Sequence, residues 1–128
     1  MRVGKPARRQ LHRCLEINPS NYEAKYQLGL SYKAQGDTAT AIRWLEETVA
    51  LTPNNALALR DLGTVYLQAG EESKARGVLE KSFALEPQDA ETNFQLSRLY
   101  NLIGEAARAK KHLEIFQKLR NSGGNSMP

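Results

Sequence analysis

Three prolines, Pro19, Pro53 and Pro87, lie 34 residues apart, and other residue types follow the same interval. The repeated positions are Leu28, Leu62 and Leu96; Tyr32, Tyr66 and Tyr100; Gly36, Gly70 and Gly104; and Ala41, Ala75 and Ala109. A fixed period of this length indicates stacked supersecondary units, because one such unit cannot bury its apolar face alone. The spacing favours a protein that holds another molecule along a surface over one that transforms a substrate.

Aligned on this period, the chain divides into a half unit, three full units and a tail. The predicted boundaries are 5–21 for the half unit, 22–55, 56–89 and 90–121 for the full units, and 122–128 for a disordered tail. Each full unit carries two apolar stripes with helical spacing, such as Ala24, Leu28 and Tyr32 in the first. No segment alternates in the manner of a strand, so the sequence predicts an all-α fold.

Glycine and proline mark where these helices end. Gly36 and its repeats are expected at the left-handed C-terminal position of each first helix, and Pro53 and Pro87 close second helices. Asn54 or Asn55, and Asp89, are expected to cap the helices that follow. A glycine in mid-helix costs about 1 kcal/mol relative to alanine. We therefore expect Gly29 and Gly63 to mark close helix crossings, with the alanines of the repeat opposite them.

The motif residues resemble those of the tetratricopeptide repeat family. The sequence L-G-x-x-Y occurs at Leu28–Tyr32 and Leu62–Tyr66, and L-S-x-x-Y at Leu96–Tyr100; alanine and leucine follow at Ala41/Leu45, Ala75/Leu79 and Ala109/Leu113. Repeats of this family are helix–turn–helix units with a period of about 34 residues, and the recurring residues of this chain have the same period. The resemblance implies an α-solenoid of antiparallel helix pairs, a right-handed superhelix of about three and a half repeats.

The two ends of the array depart from the pattern. Residues 5–21 match only the second helix of a pair, so we expect uncovered apolar surface there, which a longer protein or self-association would cover. Cys14 lies on that apolar stripe and is expected to be buried. At the other end, Phe116 replaces a small residue and Asn121 replaces the closing proline. Both changes predict that the array ends there.

In this family the first helices line a concave groove that binds ligands. By resemblance, the partner-binding residues are Tyr26, Gln27, Leu30, Lys33, Arg60, Asp61, Thr64, Leu67, Phe94, Gln95, Arg98 and Asn101. Their mixed character suits a peptide or a partner helix, with Arg60 and Phe94 expected to contribute most. The alternative for Tyr26 and Phe94 is that they pack between neighbouring helices.

Several other functions find no support in the residues. Positions of the family's carboxylate clamp hold Tyr26, Leu30, Asp61, Glu91 and Gln95, which argues against binding of acidic chaperone tails. His12 and His112 lie in opposite terminal helices, and no ligand spacing suggests zinc or another cofactor. We therefore predict no catalytic residues, no metal and no cofactor, and a protein that is not an enzyme.

The net charge of +4 is unevenly distributed. Residues 1–15 contain five basic residues and no acidic one, and the remainder sums to −1. A basic arm of this kind can bind nucleic acid with steep salt dependence, but a solvated helix is the favoured explanation, and nucleic acid is the disfavoured partner. No apolar run is long enough to span a membrane, so we expect a soluble protein with the cytoplasm as the favoured compartment.

The sequence thus predicts a non-catalytic protein–protein interaction module or scaffold. The alternative is a C-terminal regulatory or substrate-recruiting segment of a larger enzyme, or of a secretion or assembly complex. The full length of the parent gene separates these two predictions, and neither identifies the partner.

Overall fold

The computed structural model describes the backbone of residues 8–125 and the side chains of residues 8–122. Within that range there are seven α-helices and no strand: α1 (Arg8–Ile17), α2 (Tyr22–Gln35), α3 (Thr38–Leu51), α4 (Ala56–Gln68), α5 (Glu72–Leu85), α6 (Ala90–Leu102) and α7 (Ala106–Asn125). The all-α prediction is confirmed for this part of the chain.

The helices fall into two compact units, Met1–Pro53 and Asn54–Pro128. In the first unit α1 packs against α2, and α2 against α3. In the second unit α4 packs against α5, α5 against α6, and α6 against α7. Because only a few residues separate the two members of α2/α3, α4/α5 and α6/α7, each pair is an antiparallel helix hairpin.

Side-chain and backbone caps fix where the helices begin and end. The side chains of Asn21, Asp37, Asn55 and Asp89 each accept a hydrogen bond from the backbone N–H three residues further along the chain. Asn55 and Asp89 were both predicted to do so. Gly36 has a φ of +91° and donates its N–H to the carbonyl of Lys33, which confirms the predicted left-handed end of α2.

The two mid-helix glycines mark close crossings within a hairpin. A Cβ atom on Gly63 would lie 2.4 Å from Cγ of Leu79, and one on Gly29 would lie 2.7 Å from Cγ of Leu45. The predicted close approach is confirmed. The residue opposite each glycine is a leucine, however, not the alanine of the repeat, because the longer side chain reaches across the crossing.

At the C-terminus α7 continues to Asn125, beyond the predicted array end at residue 121. Asn121 retains the N–H that the proline of earlier repeats lacks, so nothing at that position stops the helix. Residues 122–125 of the predicted disordered tail are therefore helical, and Ser126–Pro128 lie outside the described residues.

The N-terminal half repeat is anchored to α2 by a polar contact and an apolar one. Arg8 donates from Nε to the Ser31 hydroxyl at 2.8 Å, and its guanidinium lies 4.0 Å from the centre of the Tyr32 ring. Leu11 is buried against Ala24 and Leu28. The beginning of the predicted half repeat, residues 5–7, lies outside the described residues.

Cys14 is exposed, contrary to the prediction of a buried thiol. Helix α1 packs on α2 through Leu11 and Leu15, and Cys14, on the same apolar stripe, is not among the residues of that contact. Ile17, which follows on the same helix, is 86% exposed. The apolar stripe of α1 is thus only partly covered by α2.

Candidate interaction surfaces

The first unit presents its predicted partner-binding residues on α2. Gln27 is exposed, whereas Tyr26, Leu30 and Lys33 are partly buried. The neighbouring Lys25 forms an ion pair with Glu47 of α3 at 2.5 Å between Nζ and Oε1, which joins the two helices of the hairpin. Gln27 is the most accessible of the four predicted residues in this unit.

In the second unit, α4 contributes less accessible surface than its sequence suggests. Asp61, Thr64 and Leu67 are only 4%, 6% and 8% exposed. The Thr64 hydroxyl donates to the backbone carbonyl of Arg60 at 3.1 Å, a bond within the helix. A partner could reach these three side chains only after rearrangement, so among its predicted residues α4 offers mainly the partly buried Arg60.

Arg60 is held by two carboxylates of its own unit. Its guanidinium lies 3.4 Å from both carboxylate oxygens of Asp89 and 3.5 Å from Oδ1 of Asp61. Burial alone would raise the pKa of Asp89, but hydrogen bonds from Thr92 and the charge of Arg60 outweigh burial and lower this pKa. Arg60 therefore ties α4 to the start of α6, besides any role in binding.

Helix α6 carries both buried and exposed members of the predicted set. Gln95 is buried and donates to Glu91 at 2.6 Å, and Arg98 donates to Oε1 of Gln95 at 3.2 Å. Arg98 and Asn101 are exposed. Phe94 is partly buried, with its ring centre 5.0 Å from that of Phe116 on α7. Phe94 thus packs between helices while keeping part of its surface accessible.

A buried polar pair joins α6 to α7. Both amide hydrogens of Asn93 are donated, to the carbonyls of Pro87 at 2.9 Å and Asp89 at 3.0 Å. Its Oδ1 lies 2.8 Å from Nδ1 of His112 and must accept, so Nδ1 carries the proton. The imidazole stacks on Tyr100 and meets Phe83 edge-on.

The surroundings of His112 favour its neutral form. Burial is the main cause that lowers the pKa of His112; the charges of Lys111 and Arg108 act in the same direction, and Glu80 opposes them. Glu80 itself accepts a hydrogen bond from the Tyr100 hydroxyl at 2.5 Å. This cluster fastens α6 to α7 and both of them to α5, through Phe83 and Glu80, and sequence reasoning missed it.

An aromatic residue occupies the position equivalent to His112 in the first hairpin. Trp44 lies 68 residues before His112, and Lys25 lies 68 residues before Asn93. Nζ of Lys25 is 5.7 Å from the centre of the Trp44 ring, which also packs on the core of its unit. The same two repeat positions therefore contact each other in both hairpins, as Lys25 with Trp44 in the first and as Asn93 with His112 in the last. The shared spacing of these positions was visible in the sequence.

A surface cavity of ≈ 620 Å³ lies beside the starts of α4 and α6. It is lined by Asn54, Asn55, Ala56, Leu57, Leu85, Glu86, Gln88 and Asp89. Both leucines of this lining are exposed. The cavity is wide enough for an apolar side chain of a partner.

The part of the chain that the structure describes offers neither a metal site nor a membrane span. Within residues 8–122, no three or more His, Cys, Asp or Glu residues are grouped so that they could hold a metal ion. None of the described helices combines the length and apolar character that crossing a membrane requires. The repeated hairpins, with accessible polar and aromatic side chains on their first helices, define an α-solenoid of the helical-repeat class.

The sequence model of the tetratricopeptide repeat matches residues 20–88, more than half of the chain. The chain belongs to the tetratricopeptide repeat family. This confirms the resemblance and the fold class predicted from the repeated columns. No curated protein matches the chain.

Solved structures of MamA share the fold. One crystal structure of MamA has a TM-score of 0.84 and 26% identity, and the match covers 89% of this chain and 67% of that one. A second, MamA from residue 41 to the end from Desulfovibrio magneticus RS-1, has a TM-score of 0.81 and 22% identity, covering 90% and 65%. The chain spans about two thirds of the length of these proteins, and the likeness establishes the fold alone.

Proposed function

We propose that this chain is a non-catalytic interaction module that binds a peptide or a helix of a protein partner on the first helices of its hairpins. The proposal rests on one observation: the side chains of Gln27 on α2 and of Arg98 and Asn101 on α6 are exposed to solvent. These side chains are not required to cover the core. The family's use of first helices for ligand binding supports the same assignment.

A triple substitution tests this surface. Replacing Gln27, Arg98 and Asn101 by alanine should remove the captured partner in an affinity experiment, because it deletes accessible groups without opening the core. The matched control replaces three exposed residues of second helices, Lys81, Lys110 and Glu114, by alanine. The readout is the amount of partner retained, together with the circular dichroism of each variant. Equal retention by both variants would place the binding site elsewhere.

The partly covered face of α1 supports a second proposal, self-association of the chain. Ile17 and Cys14 of this helix are both exposed. Burying an isoleucine side chain stabilises a contact by roughly 1.5–3 kcal/mol. A second copy that covers this face would gain that free energy.

Charge at Ile17 should prevent this self-association. We expect the sedimentation coefficient of the chain to rise with protein concentration, and the rise to disappear in Ile17→Asp because burying an unpaired carboxylate is costly. Arg9→Asp, also at an exposed position of α1, is the control and should keep the concentration dependence. A chain that stays monomeric at every concentration would rule out the α1 contact.

A regulatory or substrate-recruiting segment of a larger enzyme or assembly complex is the alternative function. The matched MamA chains are longer than this one, which covers 67% of the first. The length of the transcript that encodes the parent protein separates the alternatives. A long open reading frame with a catalytic domain would support the recruiting role.

A further inference from the structure

The last helix is strongly basic. Between Ala106 and Asn125 there are five basic residues, Arg108, Lys110, Lys111, Lys118 and Arg120, and one acidic residue, Glu114, a net charge of +4. Residues 16–105 contain 8 basic and 13 acidic residues, a net charge of −5. Apart from the basic residues 1–15, the positive charge of the chain is therefore concentrated in α7.

Two aromatic rings and two arginines lie near one another on the hairpin of α6 and α7, and we call them the aromatic–arginine patch. Its members are Phe94 and Arg98 of α6, and Phe116 and Arg120 of α7. The two rings are in contact, with centres 5.0 Å apart. On each helix the arginine follows its phenylalanine by four residues, the spacing of neighbours on one helix face, and the Arg120 guanidinium lies 5.8 Å from the centre of the Phe116 ring.

Because α6 and α7 are antiparallel, the two arginines lie toward opposite ends of the ring pair. Both are exposed. Within the described residues, Arg98 is oriented by a hydrogen bond to Gln95 and Arg120 by the ring of Phe116, and neither forms an ion pair with a carboxylate. Their guanidinium groups therefore remain available to carboxylates of a partner.

We propose that the aromatic–arginine patch binds an acidic protein segment that carries an apolar side chain between its carboxylates. This inference rests on the proposed function and specifies the partner of its C-terminal hairpin. The apolar side chain would contact the rings of Phe94 and Phe116. Carboxylates on either side would pair with Arg98 and Arg120, whose planar guanidinium groups match carboxylate geometry.

The charge of the patch selects among partners. Basic segments are repelled by α7, and a neutral apolar segment would leave both guanidinium groups unpaired. Arginine is also among the side chains that most often dominate interface energy, and phenylalanine is enriched at the cores of interfaces. An acidic segment with an apolar anchor satisfies both kinds of group.

The experiment measures fluorescence anisotropy of labelled peptides added to the full chain. The first probe alternates glutamate and leucine, and the second replaces every glutamate by glutamine. We expect the acidic probe to bind and the neutral one to bind at least about tenfold more weakly. Arg98→Glu combined with Arg120→Glu should weaken binding of the acidic probe by about tenfold or more, the equivalent of about 1.4 kcal/mol.

The control variant combines Lys110→Glu and Lys111→Glu, two exposed residues of the same helix outside the patch. It changes the net charge by the same amount, and it should retain binding of the acidic probe. Equal weakening by both variants, or binding of anionic phosphatidylserine vesicles without binding of the acidic peptide, would overturn the proposal. If the acidic probe fails while the triple alanine variant still loses a captured partner, this inference fails and the proposed function stands.

Discussion

Replacing Asn93 by leucine should lower the free energy of unfolding by about 3 kcal/mol, measured by denaturant titration. The side chain is fully buried and satisfies three groups: the carbonyls of Pro87 and Asp89 and the Nδ1–H of His112. A leucine of similar size fills the space but leaves the Pro87 carbonyl and the Nδ1–H of His112 without a partner. The Asp89 carbonyl loses one of two hydrogen bonds and keeps the one from the backbone N–H of residue 93. A buried polar group that loses its partner costs about 1–3 kcal/mol.

A second substitution should restore part of this loss. In the second full repeat the positions equivalent to Asn93 and His112 hold Leu59 and Val78. Combining Asn93→Leu with His112→Val introduces that apolar pair and removes the orphaned imidazole donor. We expect the double variant to be more stable than Asn93→Leu alone, and a further loss of stability in the double variant would contradict the assigned hydrogen bond.

The Asn93–His112 pair should also make the free energy of unfolding depend on pH. The pKa of His112 is lowered in the folded state from its ordinary value of 6.5, mainly by burial. Between the lowered pKa and 6.5 the unfolded chain binds more protons than the folded chain, so stability falls as the pH falls through this window. We expect this loss in the native protein and in Arg9→Asp, and its disappearance in the double variant. Unfolding free energies measured at several pH values check it.

Gly63→Ala should destabilise the protein although alanine is the better helix former. The new methyl carbon would lie 2.4 Å from Cγ of Leu79 and 2.6 Å from its Cδ2. Cγ is not the flexible end of the side chain, so α4 and α5 must separate. Overpacking of a core costs roughly 1–3 kcal/mol, which exceeds the gain of about 1 kcal/mol from helix propensity.

Gly77→Ala is the matched control, because it lies in the adjacent α5 with open space around its Cβ position. There the propensity gain acts alone, and the free energy of unfolding should rise by about 0.5–1 kcal/mol. The two substitutions are chemically identical and should have opposite signs. Equal stabilisation at both positions would show that the α4–α5 crossing is looser than described.

Local sequence features predicted the repeat architecture well, for physical reasons that can be named. A left-handed residue ends α2 at the predicted Gly36, and Asn55 and Asp89 cap the helices they were expected to cap. Caps depend on a few consecutive residues, so they can be read from the chain directly. The close crossing at Gly63 was also predicted, because an otherwise unfavourable residue in a helix needs a packing reason.

Accessibility was harder to predict because it depends on how helices pack. Asp61, Thr64 and Leu67 lie on the first helix of a repeat, yet they are buried. Cys14 is on an apolar stripe, yet it is exposed, because the half repeat packs on α2 through only part of that stripe. Asn93 and His112 are hydrogen-bonded although they lie 19 residues apart and on different helices. The pattern within either helix alone does not indicate that these two side chains pair.

The most direct test of binding on the first helices is the two-dimensional NMR spectrum of the chain titrated with a captured partner peptide. We expect the side-chain amide signals of Gln27 and Asn101 and the backbone amides of α2 and α6 to shift first. The backbone amides of α3 and α5 should change least. Shifts confined to α3 and α5 would contradict binding on the first helices.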